Sequence, residues 1–440
     1  MAGTVDQYVA EWERARPRWQ HRGGDTLIRT REAALRRFAS LGFPTTRQEE
    51  WRFTSVAPIA ERTFGLARPS AAAAASIDVD SLRLPATPAV ELVFLNGRHV
   101  PELSRTRTLP GRSRVESLSS ALESAHDLEP RLTAARWAER QPFVALNTAF
   151  FDDGAWIEVP AGTVLDEPIH LLFLATDEAA DAPLMLHPRV LIALGENSQA
   201  AIVETYAGAG DSQYFTNTVT DIELGENAVL DHYKLQYESA AAFHVGAAHI
   251  HAQRSATYRS HSVSLGGALV RNDVIAVLGG EGIECTLNGL YAADAQRLVD
   301  NHTTIDHAQP HCASREIYKG ILAEHARGVF NGKIIVRPDA QKTDAKQIAS
   351  LAMVGYGGAS LATGSRPNRV VVAASFALGL GVAKELWDLT GHGDASWRDL
   401  TWDVVGTTTG VLMAYAIDWA IGRMRSPSTN SGYRPVTTGD

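Results

Sequence analysis

The chain has 440 residues, 45% hydrophobic and 21% charged, a balance that suits a folded protein with a sizeable core. Its formal charge of −9 offers no broad basic field, so no nucleic-acid partner is expected. Two cysteines, Cys285 and Cys312, cannot build a disulfide framework, and the opening "MAGTVDQYVAEWERARPRWQ" lacks the apolar run of a signal peptide, so a cytoplasmic location is expected.

Residues 1–70 read as a helical region. Tyr8, Val9 and Trp12 recur at helical spacing, as do Ala33, Ala34, Leu35, Phe38 and Leu41, and Gly42 and Pro44 end the second run. Residues 71–143 read as a linker, with the Ala-rich "SAAAAASIDVD", followed by first strands. Among these "ELVFLNGRHV" runs into an Asn96-Gly97 turn.

From 144 to 347 short alternating strands follow one another without a helix-length periodic segment. The words Leu-Gly-Glu-Asn occur at 194–197 and again at 224–227, the spacing of a structural repeat. Short strands, regular turns and a fixed period predict a parallel β-solenoid, in which each coil covers its neighbour's apolar face. A β-sandwich is the alternative that the strands alone would permit. Residues 348–440 form a hydrophobic tail with apolar runs at Val370–Ala383 and Val404–Ile417. Each stops short of the roughly 20 residues that cross a bilayer, so a buried or amphipathic helical hairpin is expected, with peripheral membrane association as the alternative.

The stretch "DNHTTIDHAQPHCASREIYKG" gathers His302, His307, His311 and Cys312. Strand alternation sends His302 and His307 to opposite faces, and the adjacent His311 and Cys312 diverge after Pro310. These four residues are therefore candidates for an interface or for a cluster-related role rather than one self-contained metal site, and no zinc-type spacing is present. Cys285, in phase with Ile283 and Leu287, reads as a small core residue. G-x-S-x-G, H-E-x-x-H and C-x-x-C are missing, and "GVFNGKI" lacks the spacing and the hydroxyl of a phosphate loop. The expected chain is not an enzyme and holds no stable cofactor by itself.

Four blocks carry a family resemblance: "FPTTRQEEWRFTS" at 43–55, "FVALNTAFFDDGAWIEVPAG" at 143–162, "DNHTTIDHAQPHCASREIYKGIL" at 300–322 and "GVFNGKIIVRPDAQKTDAKQ" at 328–347. Together they resemble the SufB/SufD family of the SUF iron–sulfur cluster assembly machinery, and the Glu-Glu-Trp motif is similar to its SufD branch. The resemblance implies a right-handed β-helix flanked by helical regions, and a scaffold subunit of a SufBCD complex. It also implies a SufB-like partner, a SufC-like ATPase, sulfur-delivery proteins acting through the complex, and a transient iron–sulfur cluster at the level of that complex. The tail departs from the family pattern after Gln347. No His-Gly-Ala motif follows, the only later histidine is His392, and the text resembles small hydrophobic YfiM-like proteins. Docking of the ATPase is therefore in question. A solenoid enzyme and a membrane-associated structural protein are the competing functional classes.

Overall fold

A computed structural model describes residues 2–353 except 20–23, 68–77, 86, 125–127, 134–138, 177–181, 209 and 339. The described residues up to Leu351 form one compact unit. The expected C-terminal hairpin lies outside the described residues.

The N-terminal helices form where apolar residues repeat every three or four positions. Helix α1 (Ala2–Ala15) buries Tyr8, Trp12 and Ala15 along one face. Helix α2 (Asp25–Leu41) opens with an acidic residue in its first turn and buries Leu27, Arg31, Ala34, Leu35 and Phe38. It ends at Gly42, whose φ of 65° suits a residue without Cβ and whose N–H donates to Phe38 O at 2.8 Å. A short helix α3 (Ala57–Ala60) and strand β1 (Gly65–Leu66) follow. The predicted hairpin is present as β2 (Val90–Leu95) and β3 (Arg98–His99), turning through Asn96 and Gly97, both at positive φ.

After β4 (Arg114–Ser117) and the short α4 (Leu118–Ser124) and α5 (Leu128–Thr133) comes α6 (Pro142–Phe150). This helix corrects the expected solenoid start at 144. "PFVALNTAF" is apolar except for Asn147 and Thr148, whose side chains are hydrogen-bonded, Pro142 presets its first turn, and residues 143–150 are all buried between α2 and the sheet. Regular strands begin at β5 (Gly154–Val159), followed by β6 (Ile169–Ala175), β7 (Leu184–Leu186), β8 (Arg189–Leu194) and β9 (Gln199–Gly208). The coils then become uniform: β10 (Phe215–Leu224), β11 (Val229–Tyr237), β12 (Phe243–Ala252), β13 (Thr257–Ser264) and β14 (Leu269–Leu278). The series continues through β15 (Glu284–Ala293), β16 (Leu298–His307), β17 (Ala313–Leu322), β18 (Arg327–Val336) and β19 (Asp344–Met353).

From β8 onward successive strands alternate between two sheets and pair in parallel, so these residues form a parallel β-solenoid. The first sheet runs β18-β16-β14-β12-β10-β8-β5-β4 and the second β19-β17-β15-β13-β11-β9-β6-β2-β3. Strict register stacks equivalent positions: Phe215, Phe243, Leu269, Leu298 and Arg327 form one column. Between the sheets, Leu194, Leu224, Ile250, Ala252, Ala276, Leu278 and Ile305 face Ala200, Leu230, Tyr258, Cys285 and Leu287 in one apolar core. Each fully buried Leu or Ile there contributes about 1.5–3 kcal/mol.

The Leu-Gly-Glu-Asn echo marks one corner of the coils. Asn197, Asn227, Ser255, Gly282 and His311 hold it at φ between 55° and 69°. Each donates its backbone N–H to a carbonyl of the next coil, at 2.8 to 3.4 Å. Asn and Gly enter the left-handed region at least cost, and the Asn227 amide also donates to Asn197 Oδ1 at 3.0 Å.

Candidate functional site

Outward-facing residues of the first sheet meet the N-terminal segment. Arg271 on β14 stacks its guanidinium 4.1 Å from the Trp51 ring centroid and donates to Glu50 O and to Asp300 Oδ2, each at 2.7 Å. It also bonds Asp273, while the Thr54 hydroxyl donates to Asp300. His302 Nε2 completes the group, 3.1 Å from Asp300 Oδ1. Burial pushes the Asp300 carboxyl up, but His302, Arg271 and Thr54 outweigh it and hold the carboxyl below its ordinary value. Two of the family-like blocks, 43–55 and 300–322, thus meet directly through Thr54 and Asp300, and Arg271 bridges them from Glu50 O to Asp300. His302 belongs to that clamp.

The other three candidates are scattered. His307 points into the solenoid, where Nε2 lies 3.0 Å from Ser314 Oγ and burial lowers its pKa. His311 is the exposed left-handed corner residue of its coil, with its N–H bound to Gln341 O. Cys312 follows it inward. It extends the column Ala228, Ala256 and Ile283 in the apolar core and places Sγ 3.2 Å from Gly280 O. Burial raises the thiol pKa of Cys312 and pushes that of Cys285 up to about 12, so both are held as thiols rather than thiolates. The structure brings His302 to Asp300, and His307, His311 and Cys312 to three different surroundings. Among the described residues, no group of three or more His, Cys, Asp or Glu side chains is arranged to hold a metal.

The lumen carries a second, polar half that motif reading misses. Glu204 on β9 accepts from Tyr206 O–H at 2.5 Å and Thr220 O–H at 3.0 Å, with His232 Nε2 at 2.9 Å. Glu238 accepts from Thr216 at 2.6 Å and Gln236 at 3.0 Å, with His244 Nδ1 at 2.6 Å. Lys234 lies between these carboxylates, donating to Asn272 Oδ1 at 2.8 Å over the Tyr206 ring. Burial lowers its pKa to about 8 against the pull of Glu204, Glu238 and Asp273. Both glutamates are held below their ordinary pKa because His232 and His244 outweigh the effect of burial. The signal in the sequence is the period of two: Glu204 and Tyr206, then His232, Lys234 and Gln236, occupy inward positions of strands whose repeat is already visible.

Comparison with known proteins agrees with this architecture. Residues 3–171 match the family described as the SufBD protein N-terminal region, and residues 174–357 match the SUF system FeS cluster assembly, SufBD core domain. An iron-sulfur cluster assembly SufBD family protein of Synechocystis is 32% identical over 333 residues, covering 73% of this chain and 72% of its own. The iron-sulfur cluster assembly protein SufD of Escherichia coli is 28% identical over 325 residues, with 73% and 72% covered. A chloroplastic protein of Arabidopsis thaliana, ABCI7, is 30% identical over 213 residues, covering 47% of this chain and 44% of its own.

Proposed function

Because the chain belongs to the SufB/SufD family of the SUF iron–sulfur cluster assembly system, and so has a role in cluster assembly, we propose that it is a non-catalytic scaffold subunit of a SufBCD-type complex. The observation that carries this reading is the pair of family matches, which together run from residue 3 to 357 across the helical layer and the whole described solenoid. In this reading a SufB-like subunit is the direct partner, a SufC-like ATPase powers the complex, and sulfur-delivery proteins act on the assembly. The cluster is cargo of the complex, and this chain alone retains none. His302, His307, His311 and Cys312 support the scaffold: one clamps, one fills the lumen, one turns a corner and one packs the core. We place the complex in the cytoplasm. Among the described residues no helix is long and apolar enough to cross a membrane.

The test is anaerobic co-expression of this chain, tagged, with a SufB-like and a SufC-like protein from one organism, followed by co-purification and assay of iron and sulfide. The SufB-like protein is expected to co-purify. Capture of the ATPase is expected to be weaker than by a chimera whose residues after Gln347 come from an ordinary SufD, because the sequence departs from the family pattern there. Absence of the SufB-like protein from the purified material rules out the scaffold reading. Equal ATPase capture by both chains overturns the reading of the tail.

A further inference from the structure

The outer face of the second sheet stays open where β11, β13, β15 and β17 run side by side. Tyr233, Tyr237 and Ile317 are 36%, 43% and 40% exposed, and Leu235, Val263 and Leu290 between them are half-buried. On the covered part of the first sheet, by contrast, the outward Phe215 and Phe243 are at most 4% exposed. Register joins the open positions into rows across the strands. Tyr233, His261, Asn288 and Ile317 form one row, and Leu235, Val263, Leu290 and Lys319 the next. The Tyr233 and His261 rings stack with their centroids 5.0 Å apart, which flattens this part of the face. A contiguous apolar patch rimmed by charge marks an interaction surface.

The charges on the rim are unevenly used. Asp231 and Arg259 pair within the sheet at 3.1 Å, while Arg315 and Lys319 have no ion pair or hydrogen bond to a described residue. Asp231, Arg259, Thr286 and Arg315 lie in one row, so the carboxylate and the unpaired guanidinium stand at opposite margins of the patch. A two-fold axis along the strands, midway between β13 and β15, exchanges those margins. It lays β17 of one copy over β11 of the other, so Asp231 meets Arg315 and Tyr233 meets Ile317, each twice. Val263 meets Leu290, Glu284 meets Thr257, and the aliphatic stem of Lys319 covers Leu235. No like charges face each other. A two-fold axis across the strands, through the Tyr233 row, instead sets Arg315 against Lys319, and repulsion disfavours it.

We propose that this face pairs two copies of the chain, sheet on sheet, about the axis along the strands. The area suffices. Four strands of eight to ten residues present about 19 by 30 Å from each copy, which clears the total of about 1,000 Å² that a specific interface needs. Val79, Leu82, Val100 and Leu103, which pack over β2, β6 and Ala207 of β9, fall at the β19 edge of the facing copy, outside the patch. Pairing here leaves the strand edges of β18 and β19 unused.

Sedimentation of the full chain over a concentration series is expected to show a monomer–dimer equilibrium. Ile317→Glu, at an exposed position, is expected to weaken the dimer by about tenfold or more with an unchanged circular dichroism spectrum. A charge exchange is the sharper arm. Asp231→Arg alone sets two arginines face to face, and Arg315→Asp alone sets two aspartates, so each variant by itself should be largely monomeric. Mixed in equal amounts they restore both ion pairs, and a dimer with one copy of each is expected. A wild-type chain that is monomeric at every concentration, a dimer indifferent to Ile317→Glu, or charge variants that fail to pair when mixed would each overturn the proposal. Should a charge variant not fold, cross-linking decides. Tyr233→Cys mixed with Ile317→Cys should form a disulfide between copies that neither variant forms alone, and its absence overturns the proposal.

Discussion

At the scale of single residues, the polar lumen makes the sharpest predictions. Burial raises the pKa of Glu316, with Thr303 pulling weakly the other way. A carboxyl with a folded pKa above its unfolded value binds more protons when folded, so it contributes stability below the unfolded pKa that is lost as pH rises toward the folded one. Glu316→Gln removes this loss. The melting temperature of the variant should therefore rise relative to wild type as pH goes from about 4 to about 7, and a difference independent of pH contradicts the assignment. The thiols offer a second test. Cys285 and Cys312 are 2% and 1% exposed and held protonated, so neither should react with a maleimide in the native state, while both should react after unfolding. Rapid native labelling of Cys312 would show that its coil opens. The fate of Cys285 was legible in its phase with Ile283 and Leu287. That of Cys312 was half legible: alternation separates it from His311, but its place in the Ala228 column depends on a register that only the assembled coils set.

At the scale of elements, the echo at 194–197 and 224–227 identified the solenoid because its Asn residues do a physical job, holding a left-handed corner whose N–H reaches the next coil. Helix α6 was not legible, since an apolar run of that length between strands fits a buried strand as well as a buried helix. The clamp between 43–55 and 300–322 was not legible either. Thr54 and Asp300 are 246 positions apart, and no local pattern reports such a contact. It yields a prediction. Arg271 and Asp300 are 2% and 1% exposed at the side chain, and removing one member of such a buried pair costs about 3–5 kcal/mol. Arg271→Ala should lower the urea midpoint accordingly. Arg271→Lys should fall between the alanine variant and wild type, because lysine keeps the charge but loses the two-nitrogen fork to Asp273, the simultaneous bond to Asp300 and the planar stack on Trp51. A lysine variant as stable as wild type would show that charge alone matters here.

For the described unit as a whole, the two outer faces of the solenoid differ, and that asymmetry ties the helical layer to the coils. The first sheet is covered from β5 to β14, while β18 at its end is partly exposed. Arg189 reaches Asn147 and Thr148 of α6, His249 lies 3.0 Å from Gln141, and Met185, Phe215, Phe243, Val245 and Leu269 share one apolar cluster with Tyr8, Trp12, Phe38 and Trp51. The second sheet leaves Tyr233, Tyr237, Ile317 and Ile348 exposed between charged residues such as Arg259 and Arg315. Sequence periodicity could identify helices and strands but not which sheet the helices cover, because strands of both sheets alternate in the same way. The shared cluster means that the helical layer and solenoid should unfold together. A chain lacking residues 1–60 would expose the aromatic face of Phe215 and Phe243 and leave Arg271 and Asp300 without Glu50, Trp51 and Thr54. It should be recovered as aggregate on size-exclusion chromatography, or melt well below the full chain, with a single transition for the full chain by near-ultraviolet and far-ultraviolet circular dichroism. A shortened chain that stays unaggregated with an unchanged melting temperature, or a full chain whose two signals melt separately, would show that the solenoid stands without its helical cover.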